Sequence, residues 1–455
     1  MASEKFRRQL RHEAQLWTSE GLINDSIYQL LSNRYQFNSI DSAASSRFVM
    51  ILIGLGSILL GLGVITFVAA NWQQWPREFK IILLLSLFIG VNTSGFYLWR
   101  SDPQTGKTKR LGEGLLIFGA ISLGANISLM AQMFHIGGSP YGLFLVWGLG
   151  VLAMAYSLRL TSLGILSILL LGIGYWSGVS NIFFPGELTG LEFLLVHIAL
   201  VTAVLFVPLA YWCKSRAIFI IAVLLIVPAL EMNIAALLRQ NFSSELMTVG
   251  FILPPALLWS YDDSLFPPIH GRPFRSDARS LAIWFLGIVF FLFSFRGFGT
   301  SFFSFNYNES MQIQGFNFIL DVLLFGGLTI WQWLYLAKPH HSSQRWGLDE
   351  VSSAIAIILG VTTLVSYRYQ TLDSSLSTLI FNILLFLLAA GSIRIGLGQG
   401  KRGTFWGGMI LLTLQIVSRT FEYNTELLFK AFVFVLCGVG VILAGLWFER
   451  HLSRQ

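Results

Sequence analysis

The sequence AIFIIAVLLIVPALEMNIAAL, residues 217–237, holds 21 positions with Glu231 as its single charged residue. An α-helix rises about 1.5 Å per residue, so this stretch is about 30 Å long and matches the hydrocarbon thickness of a bilayer. The whole chain has the same character: 55% of its residues are hydrophobic and 12% are charged, against roughly 25% charged in soluble proteins. With a mean hydropathy of +0.67, this composition excludes a soluble globular protein and predicts a polytopic membrane protein.

Apolar runs of transmembrane length recur along the chain and predict an all-α integral membrane bundle of about 14 transmembrane helices. The first seven runs cover residues 48–70, 81–99, 114–134, 141–158, 161–180, 191–212 and 217–237. The second seven cover residues 244–260, 281–299, 314–337, 351–367, 375–393, 404–421 and 428–448. The eighth run is interrupted by Pro254 and Pro255. In the fifth, Gly174 and Gly178 form a small-xxx-small pair, which predicts close packing against a neighbouring helix.

The positively charged residues alternate between successive loops. If the N-terminus is cytoplasmic, the inside segments hold 23 of the 30 Lys and Arg residues. The loops 181–190 and 300–313, which then lie outside, hold none. Because cytoplasmic loops keep positive charge, this distribution predicts that both the N- and C-termini are cytoplasmic. It also accounts for the net charge of +7, so we expect no nucleic acid as a partner.

Residues 1–47 precede the first apolar run and have the pattern of a short cytosolic helical hairpin. Its two apolar stripes are Phe6, Leu10, Ala14 and Trp17, and Ile27, Leu30, Leu31 and Tyr35. Gly21 suits the C-terminal cap of the first helix, and Asn24 or Asp25 suits the N-cap of the second. We expect no cleaved signal peptide, because the first apolar run is too long for one. The predicted layout is therefore the hairpin at 1–47, a first half of seven helices at 48–237 and a second half at 238–455.

The few residues that suggest metal or redox chemistry do so weakly. His340 and His341 are adjacent, and neighbouring residues rarely face the same metal ion. Cys213 and Cys437 lie within or at the edge of apolar runs and form neither a zinc spacing nor a disulfide framework. We therefore predict no catalytic residue, no metal and no cofactor. The lipid bilayer is the one partner that the sequence predicts, and protein partners stay open.

Ionisable residues inside the predicted spans are functional candidates, because charge is costly at the centre of a bilayer. Counted at about 1.5 Å per residue from the nearest boundary, they fall in the outer third of the membrane. The predicted polar layer consists of His197, Glu231, Arg296, Asp321, Arg419, Glu422 and Lys430. Arg419 and Glu422 are three residues apart and share one helical face, so we expect them to pair.

Three interpretations of this polar layer stay open. In the first, its members are structural ion pairs and snorkelling side chains in a protein with a structural, sensing or assembly role. In the second, the two carboxylates Glu231 and Asp321, with Arg296 and Arg419, line an outward-facing cavity of an ion-coupled transporter. In the third, the same carboxylates serve a membrane-embedded enzyme on a lipid-linked substrate. A wide water-accessible cavity would favour transport, whereas tight pairing would favour the structural role.

Several segments also resemble a known family. They are WTSEGLINDSIYQLLSNRY (17–35), GLGVITFVAANWQQW (61–75), MAQMFHIGG (130–138) and LFLVWGLGVLAMAY (143–156), with a fainter likeness at SRTFEY (418–423). This pattern is similar to an uncharacterised family of bacterial polytopic proteins, known only as predicted membrane proteins with a domain of unknown function. The resemblance covers roughly the first 180 residues. It implies a short cytosolic helical domain before a many-helix bundle in the bacterial inner (plasma) membrane, and it implies no activity.

Overall fold

The computed structural model describes residues 4–35, 74–100, 106–182, 190–238, 245–263, 273–298, 316–338, 347–368, 373–423 and 426–452, with isolated positions at 59, 66, 70 and 72. Within these residues all regular secondary structure is helical, and there is no strand. The helices are α1 (Glu4–Ser19), α2 (Asp25–Tyr35), α3 (Arg77–Arg100), α4 (Gly106–Met133), α5 (Pro140–Leu158), α6 (Thr161–Ile182), α7 (Gly190–Val196), α8 (Ile198–Trp212), α9 (Arg216–Leu238), α10 (Glu245–Ser260), α11 (Arg275–Phe293), α12 (Phe316–Leu336), α13 (Glu350–Tyr367), α14 (Ser374–Gly398), α15 (Arg402–Glu422) and α16 (Leu427–Leu452).

Ten of the described helices are long and apolar enough to cross a membrane, which confirms the prediction of a multi-pass helical protein. They are α3, α4, α5, α6, α9, α11, α12, α13, α14 and α16. The pair α7 and α8 passes the same test as one span with a bend of 75°. Helix α10 is apolar but short, and it continues through Pro254 and Pro255. The predicted span 48–70 lies outside the described residues, apart from isolated positions.

The chain divides into two compact units, Met1–Leu87 and Phe88–Gln455. In the first unit, apolar side chains of α1, α2 and the turn between them pack against the buried Ala14. Gly21 adopts a φ of +73°, which a glycine reaches without strain. The Asn24 side chain accepts the backbone N–H of Ile27 at 3.1 Å, so the predicted N-cap of α2 is confirmed.

In the second unit, α5 and α6 approach closely through small residues. A Cβ atom on Gly174 would lie 3.0 Å from a methyl carbon of Leu145, and one on Gly178 would lie 2.8 Å from the ring of Tyr141. Larger side chains at these two positions would push the helices apart. The predicted small-residue packing face of α6 is therefore confirmed.

Helix α9 is a centre of packing in the second unit, because it contacts α6, α8, α10, α11 and α12. Its side chains Phe219, Ala222 and Leu230 are almost completely buried in the apolar core. Helix α9 belongs to the first predicted half, whereas α10, α11 and α12 belong to the second. Since α9 contacts both α8 and α12, polar side chains from distant parts of the sequence can meet beside it.

Candidate functional site

Helices α7 and α8 are separated by a single residue, His197, at which the helix axis turns by 75°. The surrounding sequence LLVHIALV (194–201) contains neither proline nor glycine, the residues that usually mark such a break. The His197 N–H still donates to the carbonyl oxygen of Phe193 at 3.1 Å, and the His197 carbonyl oxygen accepts the N–H of Val201 at 2.9 Å. The imidazole ring is buried, with 5% of the residue exposed.

The buried His197 ring meets the only carboxylate of α12, Asp321. His197 Nδ1 lies 2.6 Å from Asp321 Oδ1, and Asp321 is 0% exposed. The second carboxylate oxygen, Oδ2, accepts a hydrogen bond of 3.0 Å from Asn233 Nδ2 of α9. The same amide donates to the carbonyl oxygen of Val196 at 2.9 Å. Asp321 therefore joins α12 to α9 and to the break between α7 and α8, and we call His197, Asn233 and Asp321 the buried cluster.

A second cluster joins the C-terminal ends of α11 and α15. The Arg419 guanidinium donates to the Glu422 carboxylate and to the carbonyl oxygen of Ser294, which caps α11. Glu422 also accepts the backbone N–H of Arg296. The side chains of Arg419 and Glu422 are 17% and 13% exposed, so this pair is partly shielded from solvent. We call Ser294, Arg296, Arg419 and Glu422 the terminal cluster.

Two uncharged residues extend the terminal cluster to α14. Asn382 Nδ2 donates to the Ser294 carbonyl oxygen at 3.0 Å, and Gln415 Nε2 donates to the Asn382 carbonyl oxygen at 2.8 Å. The last carbonyls of a helix have no partner within that helix, so side chains from α14 and α15 supply the partners for α11. Asn382, Gln415 and Asn233 are not among the predicted site residues, because the predicted polar layer contains only ionisable side chains. Their position within apolar runs was the signal available.

The other two members of the predicted polar layer have different surroundings. Glu231 Oε2 lies against Gly250 of α10, at 2.9 Å from where a Cβ atom would stand. Glu231 Oε1 is buried and accepts no hydrogen bond from any described residue. The ammonium group of Lys430 lies 5.9 Å from the ring centre of Phe421. The polar contacts thus bring His197 and Asp321 together, and separately Arg296, Arg419 and Glu422.

Two further buried hydroxyl groups lie on α6 and α8, which precede and follow the helix break at His197. Tyr175 of α6 and Thr202 of α8 are each 0% exposed. Neither hydroxyl has a hydrogen-bond partner among the described residues. A buried polar group without a partner is energetically costly. These two hydroxyl groups therefore stand out among the buried polar groups, most of which are hydrogen-bonded in proteins.

A further polar network joins the residues that follow α10 to α8 and to the residue that precedes α11. Asp263 accepts hydrogen bonds from the Tyr211 hydroxyl and from the backbone N–H of Phe274, the latter at 2.8 Å. The hydroxyl oxygens of Tyr211 and Tyr261 are 2.7 Å apart. Burial raises the pKa of Tyr261 above its ordinary value, so this hydroxyl stays protonated and can donate. The sequence predicts Tyr211 within the sixth span and the other three residues in a cytoplasmic loop, and it assigns none of them a role.

A cavity of about 450 Å³ lies between α14, α15 and α16. Arg419 and Gln415 contribute polar groups to its lining, which is otherwise mostly apolar and includes Phe386, Leu412 and Phe429. The terminal cluster therefore borders open space, whereas the carboxylate of the buried cluster is enclosed by protein.

Metal binding has little support among the described residues, since no three His, Cys, Asp or Glu side chains there are grouped as metal ligands. His340 and His341 lie outside the described residues.

Comparison with known proteins gives one family. Residues 15–164 match the family model described as "Predicted membrane protein (DUF2157)". No curated protein and no solved structure matches the chain. The matched segment ends near the start of α6, so the buried and terminal clusters both lie beyond it. Residues 15–164 are thus similar to a family of membrane proteins whose description assigns no activity.

Proposed function

We propose that the chain crosses the bacterial inner membrane about fourteen times, with both termini in the cytoplasm and with residues 1–47 as a cytosolic helical hairpin. Ten apolar helices, the bent pair α7 and α8, the short α10, the more polar α15 and the run 48–70 together account for fourteen spans. The alternation of Lys and Arg between loops supports the orientation.

Reporter fusions test this topology. Fusions after Gly400 and Gln455 should report a cytoplasmic location, and insertions at Gly186 and Asn306 should report the opposite side. A C-terminus on the periplasmic side would contradict the fourteen-helix topology, because it requires an odd number of spans or an inverted N-terminus.

Within this topology, we propose a structural, sensing or assembly role in which intramembrane polar groups hold helices together. One observation carries this proposal: Asp321 is 0% exposed, and both of its carboxylate oxygens are hydrogen-bonded. A carboxylate so enclosed is a poor binding site for an ion or substrate. It is well suited to hold the bend at His197, because it binds the His197 ring, and its other partner, Asn233, donates to the Val196 carbonyl oxygen beside the bend.

An ion-coupled transporter is the second candidate, and two observations favour it. Transporters of several folds bind substrate or ion at discontinuous helices, and the break at His197 is such a discontinuity. Glu231 also keeps a buried carboxylate oxygen without a hydrogen-bond partner in the described part of the chain. An acid of this kind inside a membrane is a natural candidate for proton or cation binding.

Water accessibility at Glu231 distinguishes the two candidates without knowledge of a substrate. We suggest Glu231→Cys in a background in which Cys213 and Cys437 are replaced by serine, with labelling by a membrane-impermeant maleimide in oriented vesicles. Asp373→Cys, at the exposed residue that precedes α14, is the matched positive control. The structural proposal predicts labelling at position 373 only. Rapid labelling at position 231 from either side would support the transporter instead.

A further inference from the structure

A second cavity, of about 520 Å³, opens where α9, α11 and α15 begin and α14 ends. Its rim carries the cations Arg216, Lys401 and Arg402, which come from the first turns of α9 and α15 and the residue before α15. In the proposed orientation, which this inference uses only to choose the leaflet, the rim lies at the cytoplasmic surface of the membrane.

The charges at this rim are only partly compensated within the protein. Arg216 binds Asp277 through Nε, at 2.9 Å, and Nη2, while its Nη1 donates to no described residue. Arg402 pairs with Glu449 at 2.8 Å, and both side chains are more than half exposed. Lys401 is exposed beside them. Three cations thus face two carboxylates, and the unused donors of Arg216 and Lys401 suit a negatively charged oxygen ligand.

Below the rim the lining becomes apolar. Ile283 and Trp284 of α11 and Gly407 and Leu411 of α15 line this part of the cavity. The two α11 residues lie two or more helical turns from the first residue of that helix. Along α15, Leu411 lies about 13 Å from Arg402. A Cβ atom on Gly407 would lie 3.6 Å from the Trp284 ring, so one edge of the indole packs next to this glycine. Trp284 is 43% exposed. A small free anion would contact the rim but leave this apolar depth unfilled.

We propose that this cavity binds an anionic phospholipid, with its phosphate group at Arg216 and Lys401 and its upper acyl chain along Ile283 and the exposed part of the Trp284 ring. Basic pockets between transmembrane helices at the cytoplasmic surface recognise lipid head groups by this charge complementarity. The apolar depth selects a lipid over a soluble phosphate compound. A bound lipid would connect α9, α11 and α15 at the end of the bundle opposite the terminal cluster.

Lipid titration of the purified full chain tests the proposal, with phosphatidylglycerol in mixed micelles as the probe. Phosphatidylcholine and inorganic phosphate are the comparison ligands, and the apparent affinity is read from the melting temperature at each concentration. Phosphatidylglycerol should stabilise the protein, while the two comparison ligands should have little effect. Lys401→Gln removes an exposed charge and should weaken phosphatidylglycerol binding by about fivefold.

Two variants separate the head-group contact from the acyl-chain contact. Gly407→Leu places a side chain in the apolar depth and should weaken binding by about tenfold, close to the loss of two buried methylene groups. Arg394→Gln removes an exposed cation near the same end of α14 but outside the cavity lining, and should leave binding unchanged. The melting temperature without lipid reports whether each variant folds. If Gly407→Leu does not fold, Lys401→Gln still tests the proposal.

Three results would overturn the lipid assignment. They are equal phosphatidylglycerol affinity in the wild type and Lys401→Gln, equal stabilisation by phosphatidylcholine, or stabilisation by inorganic phosphate that matches the lipid. These outcomes are independent of the reporter fusions. An inverted topology with intact lipid binding would move the site to the other leaflet. Lost lipid binding with the expected topology would rule out the lipid site and leave the proposed topology unchanged.

Discussion

The buried cluster and the terminal cluster both contain hydrogen-bonded polar side chains within a helical membrane protein, but their surroundings differ. In the buried cluster, Asp321 is 0% exposed and its partners lie 88 and 124 residues away in the sequence. In the terminal cluster, Arg419 and Glu422 are three residues apart, and their side chains keep 17% and 13% exposure. One cluster is enclosed and joins distant helices, whereas the other is partly open and built around a local pair.

This difference predicts different energetic roles. Removing one partner of an enclosed charged group leaves the other without compensation in a medium of low dielectric constant. Near the end of a helix, water or lipid head groups can replace a lost partner, and a long side chain can reach them. The buried cluster should therefore contribute more to the free energy of unfolding than the terminal cluster, even though the terminal cluster contains more formal charges.

The largest expected effect is that of Asp321→Ala. The change leaves His197 Nδ1 and the Asn233 amide without their shared acceptor, so we expect the free energy of unfolding to fall by about 3 kcal/mol. Denaturant unfolding in detergent measures the change. Asp349→Ala, at an exposed carboxylate preceding α13, is the matched control and should cost much less. Equal losses in the two variants would remove the energetic distinction between enclosed and exposed carboxylates.

Arg419→Ala should have the next largest effect. It removes charge-assisted hydrogen bonds to Glu422 and Ser294, and we expect a loss of about 2 kcal/mol in the free energy of unfolding. Glu422→Ala should also destabilise the protein, and the double variant should cost less than the sum of the single changes, because both remove one interaction. Strict additivity would mean that Arg419 and Glu422 do not interact.

Asn233→Ala probes the uncharged member of the buried cluster. It removes the hydrogen bonds to Asp321 and to the Val196 carbonyl but leaves the contact between His197 and Asp321 in place. Interhelical hydrogen bonds in membrane proteins contribute about 0.6 to 1.7 kcal/mol, so we expect about 1 kcal/mol in the same unfolding assay. A loss as large as that of Asp321→Ala would shift the central role in this cluster from the carboxylate to the amide.

Lys430→Gln should have the smallest effect. Its ammonium group contacts the Phe421 ring at 5.9 Å, and such contacts near a surface contribute about 0.5 kcal/mol. Lys430 belongs to the predicted polar layer by its depth alone, so this variant tests whether depth in the membrane or side-chain contacts determine the contribution to stability. A loss comparable to that of Arg419→Ala would mean that depth in the membrane determines the contribution to stability.

The sequence predicted local features well and tertiary pairings poorly. The cap at Asn24, the small-residue face at Gly174 and Gly178, and the pairing of Arg419 with Glu422 each depend on spacings of a few residues within or beside one helix. The meeting of His197 with Asp321 depends on how α9 packs between α8 and α12, which hydropathy does not encode.

The helix break was also not predictable, because the run 191–212 is predominantly apolar and its only proline, Pro208, lies well beyond His197. The apolar pattern predicts a membrane-spanning helix there but does not predict its bend. The bend is associated with a buried hydrogen-bonding group, Asn233, that serves the Val196 carbonyl from another helix. Tertiary contacts of this kind require knowledge of the neighbouring helices.

A double-mutant cycle between His197 and Asp321 tests the structural account most directly. The free energies of unfolding of His197→Ala, Asp321→Ala and the double variant would be measured in the same detergent. The account predicts that the double variant costs less than the sum of the single changes by 1 kcal/mol or more, within the roughly 0.5–3 kcal/mol found for residues in contact. Additivity within about 0.5 kcal/mol would contradict it, because the buried pair would then not hold α12 to the break between α7 and α8.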